Sequence, residues 1–441
     1  MEKLSYRAIS LLYLPLALSW VLMTMETPLI NAFLARGSEA EVSLAAFGVA
    51  FSIILVVEAP ILMMLELSIA LSKNLKAFET IRRFYVAIGL GITALGVALF
   101  YTPFCEVLLC RLMNIPPTIA AATAPSLRIL TWWSFPIGWR RIYQGILIRD
   151  GRTRVISIAT GARLAVISAT MLVGQGLNLL HGAPLGALAM LIAVVVESLL
   201  IHWAAQSSLP LRLAVASLAT EPLTFRHLWF FYLPLALTTV MRQGIRPVIS
   251  AGIAGAPFAE LSLAAWPVAL SLVSMFWGPT MGLQQVTVAL TEDKASWQRV
   301  TRFVLAVGLI LTSSLAVISL TPLLGVVLRQ LFGLSQQLAE FAAPATRIMI
   351  LLPLGYTFHA LFTGLLVKQA RTPTVRTAKA LNLGVVALTL FVGLRLGELW
   401  GSVLGATALT TGTLVEAAWL YWRSRAVEEM LVDPMENGAT V

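Results

Sequence analysis

Tyr13-Leu14-Pro15-Leu16-Ala17-Leu18 recurs as Tyr232-Leu233-Pro234-Leu235-Ala236-Leu237, an offset of 219 residues (232 minus 13). The same offset, with no gap, pairs Pro28 with Pro247, Glu41 with Glu260, and Ser43-Leu44-Ala45-Ala46 with Ser262-Leu263-Ala264-Ala265. Farther along it pairs Arg83-Phe84 with Arg302-Phe303, Thr102-Pro103 with Thr321-Pro322, Arg128-Ile129 with Arg347-Ile348, and Glu197 with Glu416. Over residues 13–72, 23 of 60 positions are identical in the second copy, well above what shared apolar composition produces. The chain is therefore two copies of one unit, and that periodicity governs how every other motif is read.

Composition says what each copy is made of. Of 441 residues, 58% are hydrophobic and only 12% charged, with a mean hydropathy of +0.86. Soluble domains carry about 25% charged residues, so a soluble enzyme and a disordered chain are both excluded. Twelve apolar stretches lie between residues 9 and 422, six per copy, each long enough for a spanning helix of about 20 residues. Helices are required because open strand edges in lipid leave backbone groups unpaired, and a barrel would show short alternating segments. Six spans per copy is an even number, so both copies enter the membrane from the same side as parallel repeats about an axis along the membrane normal. The expected fold is an all-α polytopic membrane protein of twelve transmembrane helices in two six-helix bundles. Residues 1–206 form one bundle, 207–226 a cytoplasmic linker, and 227–441 the other bundle with a short cytoplasmic tail. A central cleft between such bundles, opening to either side, is the transporter arrangement.

The net charge of +10 reads as topology rather than as nucleic-acid binding. Lys3, Lys73, Lys76, Lys294, Lys368 and Lys379 all fall at the N-terminus or in loops after even-numbered spans, as do Arg149, Arg152, Arg154, Arg371 and Arg376. Loops on the other side carry Arg36 and Arg111, balanced by Glu41 and Glu106. Basic residues concentrate on the cytoplasmic side, which puts both termini there and the chain in a cell membrane, expected to be a bacterial inner membrane. The first stretch is too long for the core of a cleaved signal peptide. Cys105 and Cys110 are the only cysteines, so no disulfide framework or metal site is expected. There is no His-Glu-x-x-His, Gly-x-Ser-x-Gly or Walker lysine; the chain reads as a non-enzyme, and any transport is driven by gradients.

The repeat is an internal control: a polar residue present in both copies serves the bundle, and one present in a single copy is not required by the shared fold. Ionisable residues inside a membrane face the protein interior or a wet cavity and are functional candidates. Arg128 with Arg347, and Glu197 with Glu416, are symmetric and read as structural ion pairs or helix ties. The asymmetric ones sort by half. Glu26, Glu58 and Glu66 face Ile245, Trp277 and Gln285; Arg242, Arg246 and Arg163 replace Met23, Thr27 and Asn382. Arg242 and Arg246 are one helical turn apart on one face, a guanidinium fork suited to phosphate or carboxylate oxygens. Pro247 removes a backbone donor there and favours a local opening of the helix. The competing reading of this fork is a static internal pair with Glu26 or Glu58. Glu26, Glu58 and Glu66 are the candidate coupling carboxylates for a proton or sodium ion; no other cofactor is expected. Gln243, Gln284, Gln285 and His359 are candidate cleft-lining groups, with interhelical hydrogen bonding as the alternative.

Three stretches carry a family resemblance: Leu44 to Ser52 (LAAFGVAFS); Pro234 to Leu237 followed by Arg246-Pro247; and Arg347-Ile348 with Pro353, Thr357, Ala360 and Thr363-Gly364. Together they resemble the progressive ankylosis proteins, within the MATE-like superfamily of multidrug, oligosaccharidyl-lipid and polysaccharide exporters and flippases. The resemblance implies twelve helices in two lobes with alternating access, and export of anionic metabolites such as citrate, nucleotides or pyrophosphate. Arg246-Pro247 and Arg347 match the family motif. The family places an arginine three residues before the Arg-Pro arginine; here Gln243 stands there and Arg242 one step further back. Where the family has a basic residue between the threonine and alanine of the third motif, this chain has His359.

The expected function is a secondary active, alternating-access exporter of small organic or phosphate anions, working as a monomer in the lipid bilayer. The alternatives are a proton- or sodium-coupled multidrug cation antiporter, a flippase for a lipid-linked phosphate, and, outside transport, a membrane scaffold.

Overall fold

Proline sets where the helices break. It has no amide hydrogen, and its ring crowds the carbonyl four residues earlier. In the computed structural model, which describes residues 5–177, 180–207, 223–369 and 372–432, the first helix is interrupted after Thr24, four residues before Pro28. The fourth breaks at Trp132, four residues before Pro136. The tenth tightens into a 3₁₀ turn beginning at Met349, four residues before Pro353.

The described residues form twelve long helical segments and no strand. In chain order these are α1 Tyr6–Leu34, α2 Ala40–Leu71, α3 Leu75–Phe100, α4 (Pro117–Thr131 continued by Ser134–Arg149), α5 Thr153–Gly176 and α6 Gly182–Gln206. They continue with α7 Phe225–Ala254, α8 Ala259–Leu290, α9 Lys294–Leu320, α10 Gln336–Lys368, α11 Thr372–Leu396 and α12 Gly401–Val432. Ten are long and apolar enough to cross a membrane; α4, split in two, and α7, which carries Arg242 and Arg246, are the others. The expected linker lies largely outside the described residues, as do Lys3, Arg371 and the end of the tail.

Two local expectations need correction. The fourth span is longer than its apolar stretch and runs on to Arg149, which draws Arg140 and Arg141 into a helix. The seventh is helical without interruption through both Pro234 and Pro247, so the expected opening at Pro247 is absent. Its counterpart Pro28 does break a helix, so the identical residue has different effects in the two copies.

The repeat persists in the backbone. A π-helical stretch, Val107–Leu112, follows α3, and its equivalent, Val327–Leu331, follows α9. Each is followed by one residue in the left-handed region, Asn114 at φ 53° and Gly333 at φ 80°, where asparagine and glycine are the least strained choices. Arg128 donates from Nε to the carbonyl of Phe100 at 3.2 Å, and Arg347 to the carbonyl of Ser319 at 3.2 Å. These arginines are therefore ties to the carbonyl end of a preceding helix, where cations are favoured, the second of the two arrangements expected of them.

Contacts divide the chain into two compact units, Leu29–Ala254 and Met1–Pro28 with Gly255–Val441. The expected division fell at 1–206 and 227–441; by contacts the first part of α1 groups with the second copy and α7 with the first, so the opening helices are exchanged. In the second unit Ile9, Tyr13 and Ala17, a stripe at helical spacing, are buried with Leu283, Val286, Val300, Val304 and Leu361. The Tyr13 ring meets Phe303 edge-on at 5.6 Å. In the first unit the equivalent stripe Leu228, Tyr232 and Ala236 is buried, and Tyr232 meets Phe84 edge-on at 5.5 Å. The Tyr-Leu-Pro-Leu-Ala-Leu motif is thus the docking surface of an exchanged helix, and the Arg-Phe motif supplies the ring it docks on.

Candidate functional site

Charge inside the Leu29–Ala254 unit gathers around α4. Glu197 of α6 is sealed from solvent, which is costly for a carboxylate unless it is fully paired. Arg140 of α4 donates to its Oε2; Arg163 of α5 is 3.3 Å from the same oxygen; Thr160 donates to Oε1 at 3.1 Å. Glu197 is thus held by partners from two neighbouring helices. Beside it, buried Glu58 of α2 lies in the field of Arg141 first and Arg140 second, and one of its oxygens, Oε2, accepts no hydrogen bond. Arg141 in turn feels Glu66, Glu58 and Glu197. Three carboxylates and three guanidiniums thus share one cluster.

The second unit has the equivalent tie with other chemistry. Glu416 of α12 is buried; its Oε2 accepts from Asn382 Nδ2 at 2.7 Å and from Lys379 Nζ at 3.0 Å. His359 Nδ1 lies 3.1 Å from Oε1. His359, proposed from the sequence as a cleft-lining group, is thus engaged with a carboxylate of its own unit and with the Thr363 hydroxyl at 3.4 Å. Lys379 stands inside α11 as an ion-pair partner, where the sequence reading placed it among loop lysines.

The remaining candidates divide between the units. Arg242 and Arg246 lie on α7 in Leu29–Ala254, Arg242 exposed and Arg246 half-buried, with Gln243 half-buried about a quarter-turn away. Glu66 is exposed near the end of α2. Glu26, in the Met1–Pro28 portion, is buried and opens the second part of α1, where a helix N-terminus favours a carboxylate. Gln284 is half-buried and Gln285 exposed on α8.

Sequence reasoning missed Arg140, Arg141 and Lys379. The signal for Lys379 was available: it stands 219 residues after Thr160 (379 minus 160), and His359 and Asn382 stand 219 after Arg140 and Arg163. Four coincident offsets around Glu197 and Glu416 mark one packed site in each copy.

No protein-family model and no curated protein matches the chain. Solved structures do. A multidrug resistance MATE family transporter of the MOP superfamily, in its inward-facing conformation, aligns at a TM-score of 0.70 and 16% identity, covering 98% of this chain and 100% of the other. The lipid II flippase MurJ, in an inward closed conformation, aligns at 0.69 and 13% identity over 96% of this chain and 92% of its own. A MOP superfamily transporter from Pyrococcus furiosus, described as having a binding pocket of reverse polarity, aligns at 0.63 and 16% identity over 98% of this chain and all of the other. The chain has the MATE-like fold over nearly its whole length.

Proposed function

We propose that the chain is a secondary active, alternating-access exporter of small organic or phosphate anions. The observation that carries the reading is the fork on α7: Arg242 and Arg246, one turn apart on a helix with no acidic residue, Arg242 exposed. Two guanidiniums at that spacing suit the paired oxygens of a carboxylate or phosphate. The MATE-like fold, shared with transporters and a flippase, and the motif likeness to the progressive ankylosis proteins support the same class. Glu58, sealed and with one oxygen unclaimed, is the favoured coupling carboxylate. Glu26 and Glu66 are the secondary candidates, and the coupling ion is a proton or sodium.

Purified protein in liposomes tests this. Uptake of labelled citrate or nucleotide is expected to fall about tenfold or more in both Arg242→Ala and Arg246→Ala, the loss expected when a charge-assisted hydrogen bond is removed. Efflux of a lipophilic cation that survives both changes and fails in Glu26→Gln would replace the anion reading with a drug antiporter. The likeness to MurJ favours one second reading, a flippase for a lipid-linked phosphate. The same arginine variants would then abolish movement of a fluorescent lipid diphosphate while citrate stays outside.

A further inference from the structure

The two repeats build the same tie from different donors. Positions 140, 160, 163 and 197 correspond to 359, 379, 382 and 416, each pair separated by 219 residues. In one unit a buried glutamate meets Arg140, Thr160 and Arg163; in the other it meets His359, Lys379 and Asn382. The fold therefore requires an anionic centre joining the fourth, fifth and sixth helices of each copy. It does not require the charged donors to be fixed. Arginine stays protonated in a protein, whereas imidazole changes charge near neutrality and a buried lysine shifts readily.

Geometry marks where a proton would be felt. Glu416 Oε2 is doubly hydrogen-bonded, but Oε1, although 2.7 Å from Lys379 Nζ and 3.1 Å from His359 Nδ1, receives no well-directed hydrogen bond. Two cations on one carboxylate is an arrangement the equivalent helices of the first copy hold around Glu197. The side chains of His359 and Lys379 are 13% and 12% exposed, against 5% and 9% for Arg140 and Arg163, so the second tie is the more open to water. The wider cluster also differs. Glu58, Glu66 and Arg141, which surround the first tie with further charge, are replaced at the equivalent positions by Trp277, Gln285 and Ala360. A charge gained in the second tie lacks the carboxylates that Glu58 and Glu66 supply at the equivalent positions in the first copy.

We propose that His359, Lys379 and Glu416 form a proton-binding site in the second unit, with His359 as the group that takes up the proton. A proton from water converts the imidazole to imidazolium, and the tie passes from one cation and one anion to two cations and one anion. His359 is faced by Lys379 from α11 and Glu416 from α12, with the Thr363 hydroxyl on its own helix α10. Of the other elements packed on α10, α8 carries Glu260 in its first turn and Gln284 and Gln285 farther on. α9 carries Lys294, Arg299 and Arg302 in its first turns. Protonation therefore changes a contact that joins α10, α11 and α12 through a single carboxylate. As a coupling site for transport this rests on the exporter reading; as a proton site it does not.

The test uses full-length protein in lipid nanodiscs, ¹⁵N-labelled at histidine, with His181→Gln, His202→Gln and His227→Gln leaving His359 as the only signal. The expected result is one transition between neutral and protonated imidazole between about pH 5 and 8.5. It should move by about one pH unit or more in Glu416→Gln or Lys379→Met, since each removes a charge at contact distance. The thermal midpoint of the otherwise unmodified protein should change across the same range, and that change should be lost in His359→Gln and His359→Arg. His359 remaining in one state from about pH 5 to 9, or a transition unmoved in whichever of the two charge variants folds, would overturn the proposal. A titrating His359 in a protein that moves no citrate would leave the proton site standing and remove the exporter reading. Citrate flux with a silent His359 would do the reverse.

Discussion

Exchange of the opening helices predicts which aromatic pairs are energetically coupled. Tyr13 and Phe303 meet edge-on at 5.6 Å, and Tyr232 and Phe84 at 5.5 Å; such a pair contributes about 0.5–1.5 kcal/mol beyond burial. Replacing either tyrosine by leucine costs more than that, because a cavity opens and, for Tyr13, the hydroxyl bond to the Pro279 carbonyl at 3.4 Å is lost. A double-mutant cycle removes those single-site costs. Equilibrium unfolding in mixed micelles should therefore give a coupling of about 1 kcal/mol for Tyr13→Leu with Phe303→Leu, and the same for Tyr232→Leu with Phe84→Leu. The crossed pairs, Tyr13 with Phe84 and Tyr232 with Phe303, should be additive within about 0.5 kcal/mol. Coupling in the crossed pairs and additivity in the direct ones would mean each opening helix folds onto its own copy, refuting the exchange.

Other expectations follow from packing and capping. Glu197→Gln leaves the guanidiniums of Arg140 and Arg163 buried without their anion, which costs about 3–5 kcal/mol and should lower the thermal midpoint more than Glu416→Gln does. At Gly138 an added Cβ would lie 2.2 Å from the Tyr85 ring and 2.7 Å from Ile61, so Gly138→Ala should destabilise by about 1–3 kcal/mol. Gly91, with nothing within 4 Å of an added Cβ, should accept alanine with a gain of up to about 1 kcal/mol from helix propensity. Asp293 caps α9 in a reciprocal box with Ser296, whose hydroxyl and then amide hold its carboxyl below the usual aspartate range. Its contribution is complete above the unfolded value of about 3.9 and is lost as pH falls through the lower folded value. The stability gap between wild type and Asp293→Ala should thus be open at neutral pH and close only below about pH 4.

Much of the fold was legible because the repeat is ungapped. The 219-residue offset identified Arg128 with Arg347 and Glu197 with Glu416 as symmetric before any contact was known, and both pairs hold helices together. Helix exchange was not legible. Tyr13 can dock on Phe84 or on Phe303 with the same chemistry, and nothing in a one-dimensional pattern chooses between two identical rings. Arg140 and Arg141 were hidden by the end of the apolar run, because a helix continues past the hydrophobic stretch wherever a carboxylate on a neighbouring helix satisfies its charges. Lys379 was hidden for the opposite reason: near a helix start, a lysine serving topology and one serving an ion pair look the same. The α7 fork was visible because Arg242 and Arg246 have no counterpart in the first copy.

The most direct measurement of the central claim is counterflow in liposomes containing the unmodified protein, with labelled citrate or nucleotide in one set and a lipophilic cation in another. Saturable exchange of the anion and none of the cation is expected. Cation exchange alone, or no flux of either from protein shown to be folded, would contradict it.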